Sequence, residues 1–203
     1  MRTVVGVKGQ VQQRGVERRQ AILSAAIEVF ARNGFRGSAI NDIGARAGIS
    51  GTGVLHHFGS KAGLLFAVIQ ERDRLAEVGF RDLADAGGLE MLRGLIRYAR
   101  KGLEEPGLNA LHSVLLVEGL GSDSITHDYF VARMGQVTRL LAEGLAQGQA
   151  AGEIRHDVDV DATAAMIVAF QEGASLVWQL DERRSIVDLY TTFLDGLITS
   201  ISV

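Results

Sequence analysis

The 203-residue chain has no cysteine and a single proline, Pro106. The first absence removes disulfides, thiolate nucleophiles and cysteine metal ligands, and it agrees with a reducing compartment. The second leaves long helices free to run, with Pro106 the one place where proline must start, end or kink a helix. Aromatic residues make up only 6% of the chain, so a core has to be built from aliphatic side chains and alanine. No run of about 18 uncharged apolar residues occurs, so no membrane-spanning helix and no membrane partner are expected. The N-terminal residues show no long apolar run followed by a small-residue cleavage site, so a secretory leader is not expected. A cytoplasmic location is the corresponding expectation.

Chemistry-bearing motifs are missing too. There is no Gly-x-Ser-x-Gly elbow, no Gly-x-x-x-x-Gly-Lys phosphate loop and no His-Glu-x-x-His pair. The glycine-rich stretch Gly48-Ile49-Ser50-Gly51-Thr52-Gly53 lacks the preceding strand that a dinucleotide loop requires. His56 and His57 are adjacent, so on a helix they diverge by about 100° and chelate poorly. No catalytic residues, metal site or cofactor are expected, and an enzyme is disfavoured.

The composition that remains, 47% hydrophobic and 22% charged, is that of a globular protein. The charge is unevenly placed. Residues 1–61 carry nine Lys and Arg against three Asp and Glu, whereas residues 62–203 carry twelve against twenty-one. A basic head on an acidic body suits a polyanion-binding unit joined to a non-binding one.

Apolar periodicity reads as helix throughout, with no convincing strand pattern and no repeat. Residues 1–15, with Arg2, Lys8 and Arg14, are expected to be a flexible basic arm. A first helix over about 17–33 has Ile22, Ala25, Ala26, Val29 and Phe30 on one face, with Gly34 as its stop. Ser38 is a candidate cap for a short helix to Arg46, Ser50 for one to His57, and Ser60 for a longer one to about Phe80. The body reads as helices over about 89–104, 108–119, 127–149, 161–180 and 183–201.

Residues 40–59 have the pattern of a helix-turn-helix. Gly44 supplies a small residue where two steeply crossing helices approach, and Gly48 supplies a turn tolerant of positive φ. Ile40, Ile43, Ala47, Ile49, Val54 and Phe58 are the apolar knobs. A second helix entering the major groove would present Ser50, Gly51, Thr52, Gly53 and His56. None of these is Arg, Lys, Asn or Gln, the side chains of bidentate base reading, although Thr52 can hydrogen-bond or touch a thymine methyl. Ser38, Asn41, His57 and Lys61 are the candidates for phosphate contact.

The run Arg19-Gln20-Ala21-Ile22-Leu23-Ser24-Ala25-Ala26, Phe30, Gly34, Ile43, Ala47-Gly48-Ile49-Ser50 and His56-His57-Phe58-Gly59-Ser60-Lys61 resembles the TetR family of bacterial transcriptional regulators. The resemblance covers about a quarter of the chain. Further on it includes Gly152-Glu153-Ile154 and Glu172-Gly173 ahead of Trp178. It implies an all-α protein with a three-helix head (16–61) and a larger ligand-binding and dimerisation body (62–203) that begins with a linker helix. It also implies that Ser38, Gly51, Thr52, Gly53, His56, His57 and Lys61 lie at or near operator DNA. Two positions depart from the family: Leu55 stands where a phosphate-reaching tyrosine is common, and Gly53 where a hydroxyl is common. Either anchoring is weaker at Leu55, or that side chain packs inward and His57 carries more of the load.

The expected partners are therefore a palindromic double-stranded operator, a second copy of the chain and a small ligand. By analogy with the family, the dimer is expected through 127–149 and 161–180. Apolar stripes there are Leu140, Leu141 and Leu145, then Ile167, Phe170, Ala174 and Val177. Ligand-lining candidates are Tyr98, Leu111, His112, Leu115, Met134, Gln171, Ser175 and Trp178. Their low charge points to an apolar or amphipathic ligand. A repressor released by its ligand is the family expectation. A ligand-dependent activator and a purely protein-binding helical dimer are the alternatives.

Overall fold

The computed structural model describes the backbone of residues 4–103, 106–181 and 183–203. Helices account for nearly all of it: α1 (Val4–Gly37), α2 (Ile40–Arg46), α3 (Gly51–Phe58), α4 (Lys61–Ala86), α5 (Gly88–Gly102), α6 (Pro106–Glu118), α7 (His127–Ala150), α8 (Val160–Leu180) and α9 (Ile186–Ile201). The only β-bridge among the described residues joins Ile154 to Ser202. The all-α class read from periodicity is what forms.

Two boundaries differ from the sequence reading. The basic arm expected over 1–15 is helical from Val4 onward, continuous with α1; Arg2 lies outside the described residues. A weakly periodic segment can still be helical when no proline interrupts it. Gly34 breaks α1 near its end, with φ 70° and ψ 174°, so the regular helix stops close to where that glycine predicts. Pro106 occupies the first position of α6, where its missing N–H breaks no helical hydrogen bond.

The chain divides into two compact units, Met1–Asp73 and Arg74–Val203. The division falls inside α4, about three helical turns beyond the boundary expected at residue 61. In the first unit the predicted face of α1 is the core: Ile22, Ala26 and Phe30 are fully buried, with Ala25 and Val29 nearly so. Ile43 of α2, Val54 of α3 and Leu64, Leu65 and Val68 of α4 are also fully buried. The remaining knobs, Ile40, Ala47, Ile49 and Phe58, are only half-buried.

In the second unit α8 packs on α6, α7 and α9, while α5 packs on α7 and α9. Leu92, Leu95, Leu141, Leu145 and Ile167 are inaccessible to solvent at its centre. The C-terminus is pinned to the α7–α8 turn, where Arg155 N–H donates to the Ile201 carbonyl at 2.9 Å and Val203 N–H to the Glu153 carbonyl at 3.2 Å.

The dimer stripes expected on α7 and α8 are corrected here. Leu141, Leu145 and Ile167 are 0% exposed and Ala174 only 6%, so they belong to the core of a single chain. Phe170 packs on the same core, stacked on Phe193 with centroids 3.9 Å apart. The outward apolar face of α8 keeps only Val177 of the expected stripe and adds Met166, Leu176 and Leu180, with Ala162, Ala169 and Gly173 in the same exposed register. α8 has the length and apolar composition of a possible membrane span. One side of it, through Ala164, Ile167 and Val168, is buried against the bundle.

Leu145→Ala should lower the unfolding free energy by about 2–5 kcal/mol, because the void it leaves is enclosed by packed neighbours. Chemical denaturation of the full chain, read by far-ultraviolet circular dichroism, measures the loss.

Candidate functional site

In the first unit α2 and α3 cross at backbone distance. A Cβ on Gly44 would lie 2.9 Å from both the Gly51 nitrogen and the Ile49 carbonyl oxygen, and 3.0 Å from the Ser50 carbonyl carbon. Only glycine permits that approach. Gly48 turns the chain between the helices at φ 71°, a conformation that costs other residues. Ile49 N–H donates back to the Gly44 carbonyl at 2.9 Å and closes the turn. Ser50 then caps α3 as expected, its hydroxyl accepting from Gly53 N–H at 3.1 Å. Ser60 caps α4 in the same way, accepting from Gly63 N–H at 2.9 Å.

These contacts decide which side of α3 is free. Val54 and Gly51 are buried, while Thr52, Leu55, His56 and His57 are exposed. Gly51 is therefore not among the outward positions where the sequence reading put it. It lies under Asn41 of α2, whose side-chain oxygen occupies the place a Cβ would need. Gly53 is half-buried and Asn41 exposed. Leu55, at 40% exposure, does not pack inward.

Ser38 is a second correction. It is 5% exposed, and its hydroxyl is directed at the carbonyls of Val29, at 3.2 Å, and Gly34. It therefore closes the end of α1 rather than capping α2. The residue at the α2 cap is Ala39, which makes no side-chain bond. A serine between two helices can serve either one, and local sequence does not distinguish them.

Lys61 bends over the end of α1. Its Nζ lies 4.7 Å from the centroid of the Phe35 ring and donates to the Arg36 carbonyl at 3.4 Å. Arg19 makes a matching contact over Phe58, with Cζ 5.2 Å from the ring centroid. Arg46 of α2 pairs with Glu28 of α1 at 2.6 Å, an exposed ion pair that adds little stability. The cation–aromatic contacts escaped the sequence reading because Arg19 and Phe58 are far apart in sequence.

In the second unit, polar side chains meet along the α6–α8 contact. His112 Nε2 lies 2.9 Å from the Glu172 carboxylate, and the His112 ring meets Phe130 edge-on at 5.4 Å. Gln179 Nε2 donates to Ser113 Oγ at 2.7 Å and to Ser175 Oγ at 3.0 Å. Tyr190 of α9 is buried. That burial pushes its phenol above the usual range, nearby Tyr98 and Glu172 add to the rise, and a hydrogen bond with Gln171 opposes it.

Five ligand candidates, Tyr98, His112, Gln171, Ser175 and Trp178, thus lie in or beside the bundle core. Met134 is partly buried against that core, and Leu111 and Leu115 are wholly buried. Glu172, Ser113, Gln179 and Tyr190 were missed. A usable signal existed in polar residues at 171, 172, 175 and 179 of an otherwise apolar helix. No group of three or more His, Asp or Glu placed to hold a metal occurs among the described residues.

A short helix held across a second one by a backbone-level contact, with its outer side uncovered, is the arrangement of a helix-turn-helix. Residues 22–68 match bacterial regulatory proteins of the tetR family, and residues 88–194 match the tetracyclin repressor-like C-terminal domain. The chain belongs to the TetR family of transcriptional regulators. It is 29% identical over 157 residues to the HTH-type transcriptional repressor KstR2 of Mycobacterium tuberculosis, covering 76% of each chain. A TetR transcriptional regulator from Chloroflexus aurantiacus superposes with TM-score 0.77 at 25% identity, covering 94% of this chain and 99% of that one. The fold is shared with FadR of Bacillus subtilis, solved with stearoyl-CoA, at TM-score 0.74 and 21% identity over 88% of this chain and 97% of that one.

Gly44→Ala should destabilise the head by about 1–3 kcal/mol, since the new methyl meets backbone that cannot rotate away. DNA affinity should fall with it. Scanning calorimetry alongside a gel shift would show both, and an unchanged melting profile would contradict the close approach.

Proposed function

We propose that this regulator is a homodimeric repressor that leaves a palindromic operator when a small apolar or amphipathic ligand enters its body. The observation that carries the reading is the uncovered outer side of α3, held out by the Gly44 crossing. A single such helix reads only a few base pairs, so two copies on a palindrome are needed for useful specificity. Ser50, Thr52, Gly53 and His56 are the residues proposed at the groove, with Asn41, His57 and Lys61 at phosphates. Ser38 and Gly51 act beneath that surface and not on it.

The exposed face of α8, from Met166 to Leu180, supports dimerisation. Leu180 is 87% exposed and Met166 56%, and apolar surface of this kind on a helix is a usual mark of association. The polar seam around His112, Glu172, Ser175 and Gln179 supports a ligand with a polar end and an apolar bulk. The repressor relative and the acyl-CoA complex of FadR agree with this pattern. A ligand that strengthens DNA binding would use the same parts with the opposite sign. A protein that works on DNA in this way acts in the cytoplasm.

Selection of genomic fragments by the purified protein tests the core of the proposal, and the expected result is enrichment of an inverted repeat. Enrichment of no sequence would overturn it. Met166→Glu combined with Leu180→Glu should shift the sedimentation coefficient from dimer to monomer while the helical signal is kept. Lys61→Ala should weaken binding to operator and random DNA alike and reduce the salt slope by about one unit. A changed sequence preference at constant slope would reverse that role.

A further inference from the structure

α3 contains no Lys, Arg, Asn, Gln, Asp or Glu from Gly51 to Phe58, so it has none of the side chains that read bases by bidentate hydrogen bonds. At about 100° per residue, Thr52 and His56 point away from buried Val54, and Leu55 lies about 60° from Thr52 on the same outer side. Leu55 is 40% exposed in the folded head. It has no donor for a phosphate, and its exposure rules out a wholly structural role in the core. A leucine that enters a hydrated groove is favourable only if it covers apolar surface there. On the floor of the major groove the thymine C5-methyl is the group that offers such surface.

We infer that Leu55, with the methyl group of Thr52 beside it, makes this head select thymine at one position of each half-site by covering its methyl. The inference rests on the DNA-binding reading above and narrows it to a base and an atom. Ser50 and Thr52 hydroxyls and the His56 imidazole add single hydrogen bonds around that contact. Selectivity would then come from methyl burial and not from a bidentate pair.

The test uses the full-length protein and the fragment it selects. Each thymine of the half-sites is replaced in turn, symmetrically, by deoxyuridine, which removes the methyl and leaves every hydrogen-bonding group in place. One thymine should stand out, its replacement weakening binding by about three- to fivefold per half-site. Leu55→Ala should lose most of the preference for thymine over uracil, Thr52 keeping a residue of it, with its melting temperature and salt slope unchanged. Leu55→Met, which keeps apolar reach, should retain the preference. Indifference of the wild type to uracil at every position overturns the inference, as does an undiminished preference in Leu55→Ala. A chain that enriches no sequence fails at the earlier step, so failure of DNA binding and failure of methyl reading are told apart.

Discussion

The approach of α2 to α3 at Gly44 is the constraint on which the head depends. The atoms it meets, the Gly51 nitrogen and the Ile49 and Ser50 carbonyl groups, are all backbone. Backbone cannot move aside as a side chain can, so the contact fixes the crossing of the two helices. That crossing puts Val54 inside and Asn41 over Gly51. The outer side of α3 is what remains. Its composition of small, hydroxylic, imidazole and leucine side chains is therefore available to a partner, because the packing beneath it is done by two glycines and one valine.

Positive charge in the head has two uses. The sequence counts nine cations over residues 1–61, but Arg19 and Lys61 sit over aromatic rings and Arg46 pairs with Glu28. The two cation–ring contacts hold the ends of α1 and α3 in place and add about 0.5–1 kcal/mol each at exposed sites. A cation over a ring keeps its charge, so Lys61 still raises the local potential near a phosphate. Its reach is set by Phe35, however, and not by a free four-carbon stem. The basic balance of the head is thus partly a packing feature and partly a field.

Much of this was legible in the sequence because the signals are local. Gly48, Ser50 and Ser60 act on residues within about a turn of themselves at the ends of α2, α3 and α4, and Gly44 meets residues 49–51 only a few positions on. What was misread depends on direction or on distance. Ser38 turns back to α1 when it could equally have served α2. Apolar periodicity on α7 and α8 showed that a face is buried without showing against what. Leu141, Leu145 and Ile167 are covered by their own chain. The face left open on α8, rich in Ala and Gly between Met166 and Leu180, gives a weaker periodic signal than the core face beside it.

α8 consequently carries three different surfaces. One faces the core through Ala164, Ile167 and Ala174, and one meets α6 through Glu172, Ser175 and Gln179. The third is the exposed apolar face. Helices are stiff against axial bending over this length, since each carbonyl is tied to the next turn. A displacement forced at the polar seam must therefore be shared with the open face or absorbed by the core. The core around Ile167 is close-packed and resists compression. On the reading proposed above, a ligand that separates His112 from Glu172 acts on the same rigid element that joins two copies. This links occupancy of the body to the geometry of the dimer without a dedicated relay of side chains.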